Sequence, residues 1–133
     1  MAYEPNSLLG RLVGSRLLAV EFVLDYLQLR FDGASTEQPI LTCEVMPIVA
    51  AAGREYPPAS SGWADALRAL IGKDVLGTRE STGTGIAIDF AAGSILLHPA
   101  QDDLVGPEIA MLRGFDDGAW MAWRPGENSF EDL

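Results

Sequence analysis

His98 is the single histidine of the chain, and Asp102, Asp103 and Glu108 follow it at spacings of 4, 5 and 10 residues. An imidazole nitrogen among carboxylate oxygens is the ligand chemistry of a divalent cation, and the same groups serve general acid–base catalysis. With one histidine, a two-histidine-one-carboxylate triad or a three-ligand catalytic zinc site would need a substitute ligand. The competing reading ends a strand at His98 before Pro99. Asp102 and Asp103 then bond backbone amides in the turn that leads to Gly106-Pro107. The cluster His98, Asp102, Asp103 and Glu108 therefore defines the alternative function, a small metal- or ligand-dependent enzyme. The main reading involves no cofactor and no catalytic residue. Glu21, Asp25, Glu44 and Asp89 lie in or beside expected strands, where an inward carboxylate would titrate abnormally. Alternation turns Glu44 and Asp89 toward water, and Asp25 beside Tyr26 supplies turn geometry. Cys43, between Leu41 and Val45 on one strand face, reads as a small buried hydrophobe and not as a nucleophile. Gly83-Thr84-Gly85 has neither the third glycine nor the Lys-Ser/Thr of a phosphate loop, and reads as a hairpin turn.

Trp120 and Trp123 stand three apart on an expected strand, so alternation sends them to opposite faces and only one enters the core. Residues 99 to 133 also hold eight acidic side chains and two basic ones, −6 of the total net charge of −10. Asp102, Asp103, Glu108, Asp116, Trp120 and Trp123 together suggest an acidic, aromatic C-terminal surface that binds a protein partner. The late hairpin that carries the tryptophans is also an edge on which identical chains could pair into a homodimer.

Composition bounds these readings. The 133 residues suffice for one domain with a real core, and with 48% hydrophobic and 21% charged residues the chain is unlike a disordered one. Nine Lys and Arg against 19 Asp and Glu exclude a surface that tracks phosphate, so nucleic acid is not a partner. One cysteine allows neither an internal disulfide nor a CxxC metal site. No apolar run reaches membrane-spanning length, and the start MAYEPNS has no basic-then-apolar leader, so a soluble cytoplasmic protein with no membrane contact is expected.

The elements that must position these residues repeat. Leu9, Leu12, Val13, Gly14 and Leu17 recur at an offset of 58 as Leu67, Leu70, Ile71, Gly72 and Val75. Leu27, Leu29 and Phe31 recur with one residue of slippage as Ile86, Ile88 and Phe90. Runs 40–45 and 94–97 follow, each ending at a proline. Both halves, about 7–47 and 65–99, thus read as a helix end, a glycine in left-handed conformation and three strands. Asn6 and Ser61 are good N-cap types, and the second helix, from about Gly62 to Ile71, carries a stripe of Trp63, Leu67, Leu70 and Ile71. A hairpin at about 109–124 and a frayed acidic tail at 125–133 complete the chain. Residues 48–61, with Pro57-Pro58, read as a connector. The expected fold is α+β in a single domain, 1–133. It is a mainly antiparallel curved sheet of about eight strands with one or two short helices packed on it; a barrel or sandwich of two three-stranded units is the other arrangement.

The string VxFVxDYxQLxFDG at Val20 to Gly33, with the ALxxLIGxxV segment at Ala66 to Val75 and Asp103-Leu-Val-Gly-Pro-Glu108, resembles a family of small actinobacterial proteins, a domain of unknown function. The resemblance covers about Leu9 to Trp123 and implies no activity. Size, charge and pattern also look like those of immunity proteins that neutralise toxins, an analogy of general build.

Overall fold

The computed structural model describes residues 3–33 and 36–133. In β2 (Leu27–Asp32) the alternation expected from the sequence is realised: Leu27, Leu29 and Phe31 are fully buried while Gln28 and Arg30 are half-buried. β1 (Arg16–Phe22), β2 and β3 (Ile40–Cys43) form an antiparallel meander, and β4 (Ile48–Ala51) and β5 (Arg54–Tyr56) follow as a hairpin. After helix α1 (Trp63–Arg68) the pattern recurs as the meander β6 (Val75–Ser81), β7 (Gly85–Phe90) and β8 (Gly93–Leu97), then the hairpin β9 (Ala110–Arg113) and β10 (Met121–Trp123).

These strands make two five-stranded antiparallel sheets, not one curved sheet of eight strands. The orders are β1-β2-β3-β9-β10 and β5-β4-β8-β7-β6. Each meander is extended by the hairpin that follows the other meander: β9 pairs with β3, and β4 with β8. The architecture is repeat-like down to the register. Leu27 faces Phe22 and Cys43 as Ile86 faces Glu80 and Leu97, and both first strands carry a bulge at corresponding points, between Leu17 and Ala19 and between Val75 and Gly77. Gly14 and Gly72, at corresponding positions, have φ of +90° and +88°, the conformation the sequence asked of them.

Four local expectations are corrected. The 48–61 segment contains the hairpin β4–β5, turned by Ala52 and Gly53, both at positive φ as a two-residue hairpin requires. Only residues 57–61, which begin with Pro57-Pro58, form a strap without a ladder. Asn6 does not cap a helix: at φ 68° its side chain accepts from Thr78 Oγ1 at 2.7 Å and donates to the Thr78 carbonyl at 3.2 Å, pinning the 3₁₀ turn Leu9–Leu12 to β6. Helix α1 starts after Gly62 and not after Ser61, and a Cβ at Gly62 would lie 2.7 Å from the Tyr56 ring, so only glycine fits there; Ile71, beyond the helix end, is 39% exposed. The tail is ordered. Phe130, in the 3₁₀ turn Asn128–Phe130, is fully buried and stacks on the His98 ring with centroids 6.3 Å apart.

Candidate functional site

The two passages between the sheets, from β3 to β4 and from β8 to β9, border one cleft of about 1080 Å³. Glu44, Val45 and Met46 come from the first passage, with Ile48 from the start of β4, and His98, Asp103, Val105, Pro107 and Glu108 from the second, with Leu96 from β8. The β1–β2 turn adds Leu24 and Asp25, and the strap after β5 adds Pro57, Pro58 and Ala59. Glu44 and His98 occupy corresponding places, each directly after the last residue of a meander. Prolines at 47 and 99 release both passages from their ladders.

Asp25, Glu44, Asp103 and Glu108 line the cleft, and no lysine or arginine does. Asp103 accepts the Ala100 N–H at 3.0 Å, closing the 3₁₀ turn Gln101–Asp103, and Glu108 accepts from Arg124 Nη2 at 3.1 Å. The carboxylates of Asp25 and Glu44 have no hydrogen-bond or ion-pair partner among the described residues, so their charges are open to a ligand. His98 Nε2 lies 2.8 Å from Asp132 Oδ2, and the ring is engaged on its face by Phe130. The metal reading is thereby corrected. His98, Asp103 and Glu108 line the same cleft, but each is committed to a different neighbour and Asp102 is exposed on the 3₁₀ turn outside it. Among the described residues no group of three or more His, Cys, Asp or Glu side chains is arranged to hold a metal ion.

The six residues expected to share a C-terminal surface fall in three places. Asp103 and Glu108 line the cleft, with Asp102 beside them. Asp116 and Trp120 lie beyond the other end of β9, in the β9–β10 turn, where Trp120 is 63% exposed and the Asp116 N–H donates to Glu37 at 2.8 Å. Trp123 is fully buried, so it cannot anchor a partner. Cys43 is fully buried as expected, and burial, with Glu44 adding to it, pushes its thiol up to about 12.

Glu80 escaped the reading of the sequence. This carboxylate, 7% exposed, accepts from Trp123 Nε1, Ser129 Oγ and the Asn6 N–H, each at 2.8 Å, and from the Tyr3 hydroxyl. Burial, reinforced by Glu80, raises the pKa of the Tyr3 hydroxyl above its ordinary value. The signal in the sequence was the repeat itself, in which Glu80 takes the place of the aromatic Phe22.

No protein-family model, no curated protein and no solved structure matches this chain. No helix among the described residues is long and apolar enough to cross a membrane.

Proposed function

We propose that the protein is a non-enzymatic binding module of the cytoplasm whose cleft takes a cationic, partly apolar segment of a partner protein. The observation that carries this reading is the position of Leu24 and Val105. They are 94% and 75% exposed, the most exposed large apolar side chains among the described residues, and both line the cleft. Apolar side chains held in water at the lining of one depression are groups for a partner to cover. The carboxylates that line the same cleft set its sign: Asp25 and Glu44 offer unpaired negative charge, and like charge repels an acidic ligand. The reading agrees with the analogy of size, charge and pattern to immunity proteins that neutralise toxins.

Two short peptides of equal length, one built of Arg and Leu and one of Glu and Leu, test the reading by NMR titration. The Arg peptide is expected to shift amides at 24–25, 44–48 and 103–108, more weakly as salt rises. The Glu peptide should leave them unmoved, and Glu44→Lys should abolish the response. Equal shifts from both peptides, or shifts confined to Trp120 and its turn, would overturn it.

A further inference from the structure

A second surface, none of whose residues lines the cleft, lies where β1 and β6 begin. Residues 14–17 and 72–75 cross antiparallel: Gly14 N donates to the Val75 carbonyl at 3.0 Å and Val75 N to that of Ser15 at 2.7 Å, while Leu17 N donates to that of Lys73 at 3.0 Å and Gly72 N to that of Leu17 at 2.7 Å. Arg16 and Asp74 pair at the centre. An antiparallel crossing has a local twofold axis normal to it, so positions exchanged by the axis emerge on the same face. That axis exchanges Leu17 with Val75, both buried, and Leu18 with Leu76, each the extra residue of its strand's bulge. It also exchanges Val13 with Ile71. Leu18, Leu76, Val13 and Ile71 are 37%, 61%, 49% and 39% exposed. Both halves therefore turn the same two apolar positions outward around one axis, although the core does not use them.

Charge decides what can cover this face. The segments 11–18 and 68–76 carry Arg11, Arg16, Arg68 and Lys73. The first three pair with Asp117 at 3.0 Å, Asp32 at 2.9 Å and Asp65 at 3.5 Å, and Lys73 neighbours Asp74 in the chain. The face is balanced, so the whole net charge of −10 lies elsewhere on the molecule. Two copies of so acidic a chain repel each other on most approaches and escape that repulsion here. We propose that this face is an isologous interface with a second copy of the chain, in which Lys73 and Asp74 of one copy meet Asp74 and Lys73 of the other.

Sedimentation velocity of the full chain at about 100 μM, where a dimer of micromolar Kd is mostly assembled, tests this independently of the cleft. Wild type and the cleft variant Leu24→Ser should both sediment at twice the 14.3 kDa chain mass. The double variant Leu18→Ser with Leu76→Ser should sediment as a monomer with an unchanged melting temperature. Lys73→Asp should also give monomer, and adding Asp74→Lys to it should restore the dimer, a rescue that does not depend on how the leucine variant folds. A monomeric wild type, a dimer that survives the leucine substitutions, or a charge swap that fails to rescue would each overturn the proposal.

Discussion

Glu80, in β6, ties the two ends of the described chain to the middle of it. Its carboxylate takes hydrogen bonds from the N-terminal segment at Tyr3 and Asn6, from β10 at Trp123 and from the tail at Ser129. Removing a buried acceptor that satisfies several donors leaves those donors without partners, which for the buried Trp123 and Ser129, at about 1–3 kcal/mol each, comes to about 2–6 kcal/mol. Glu80→Ala is therefore expected to lower the unfolding free energy in urea by that amount. Glu80→Gln, which keeps one acceptor oxygen, should cost about half as much; a loss below about 1 kcal/mol for the alanine variant would show that the network is redundant. Cys43 supplies a pH test. The folded state holds its thiol protonated up to about 12, against an ordinary 9.0, so the folded chain keeps a proton that the unfolded chain releases. The folded pKa is raised, so this contribution is full below pH 9 and declines as pH rises from 9 toward 12, at up to about 1.4 kcal/mol per pH unit. Cys43→Ala should be less stable than wild type at pH 8 because it leaves a cavity. The gap measured by urea unfolding should narrow by about 2–3 kcal/mol at pH 11, and a constant gap would contradict the assignment.

The tail is the element whose role is clearest in space and least visible in sequence. Phe130 is buried against residues remote from it: the His98 ring, and Gly85, where an added Cβ would come within 3.1 Å of the phenyl ring and 2.3 Å of the Leu97 carbonyl. Phe130→Ala is expected to cost about 3–5 kcal/mol, read as a fall in urea midpoint, with faster amide exchange over residues 128–133. A frayed tail would show neither. One phenylalanine among acidic residues has no periodicity, so residues 125–133 read as solvent-exposed until their partners are placed. The hairpin β4–β5 was hidden similarly. Its turn is Ala-Gly and not Asn-Gly or Asp-Gly, its second strand has three residues, and Pro57-Pro58 directly after it speaks against a ladder. Period-two alternation made β2 and β7 legible, and Gly14 and Gly72 marked the left-handed turns that lead into β1 and β6, because those signals are local; α1 itself ends earlier, at Arg68. The candidate site was legible in part. Asp103 and Glu108 stood out by type, and Asp25 and Glu44 by their places in expected strands. Leu24 and Val105 did not, because an apolar residue in a loop becomes informative only once its exposure is known.

At the scale of the whole molecule, the exchange of hairpins makes each sheet depend on both halves of the chain. The first sheet holds β1, β2 and β3 with β9 and β10 from the second half, and the second holds β6, β7 and β8 with β4 and β5 from the first. Neither half can lose its meander without leaving the other half's hairpin unpaired, since β9 rests on β3 and β4 on β8, and Leu27, Phe31, Ile86 and Ile88 belong to one continuous core. Unfolding should accordingly be a single cooperative transition, with calorimetric and van't Hoff enthalpies in agreement, despite the repeat-like build. The sharper form of the test uses Phe130→Ala, whose 3₁₀ turn packs on β6 and β10 and whose ring lies against His98 and Gly85. If the two sheets are one unit, the slowest-exchanging amides of β2 in the first sheet and of β7 in the second should lose the same protection free energy in this variant, within about 0.5 kcal/mol. If β7 lost protection while β2 kept it, the halves would be separable folding units, and the exchanged hairpins would serve as surface contacts and not as the structural bond between them.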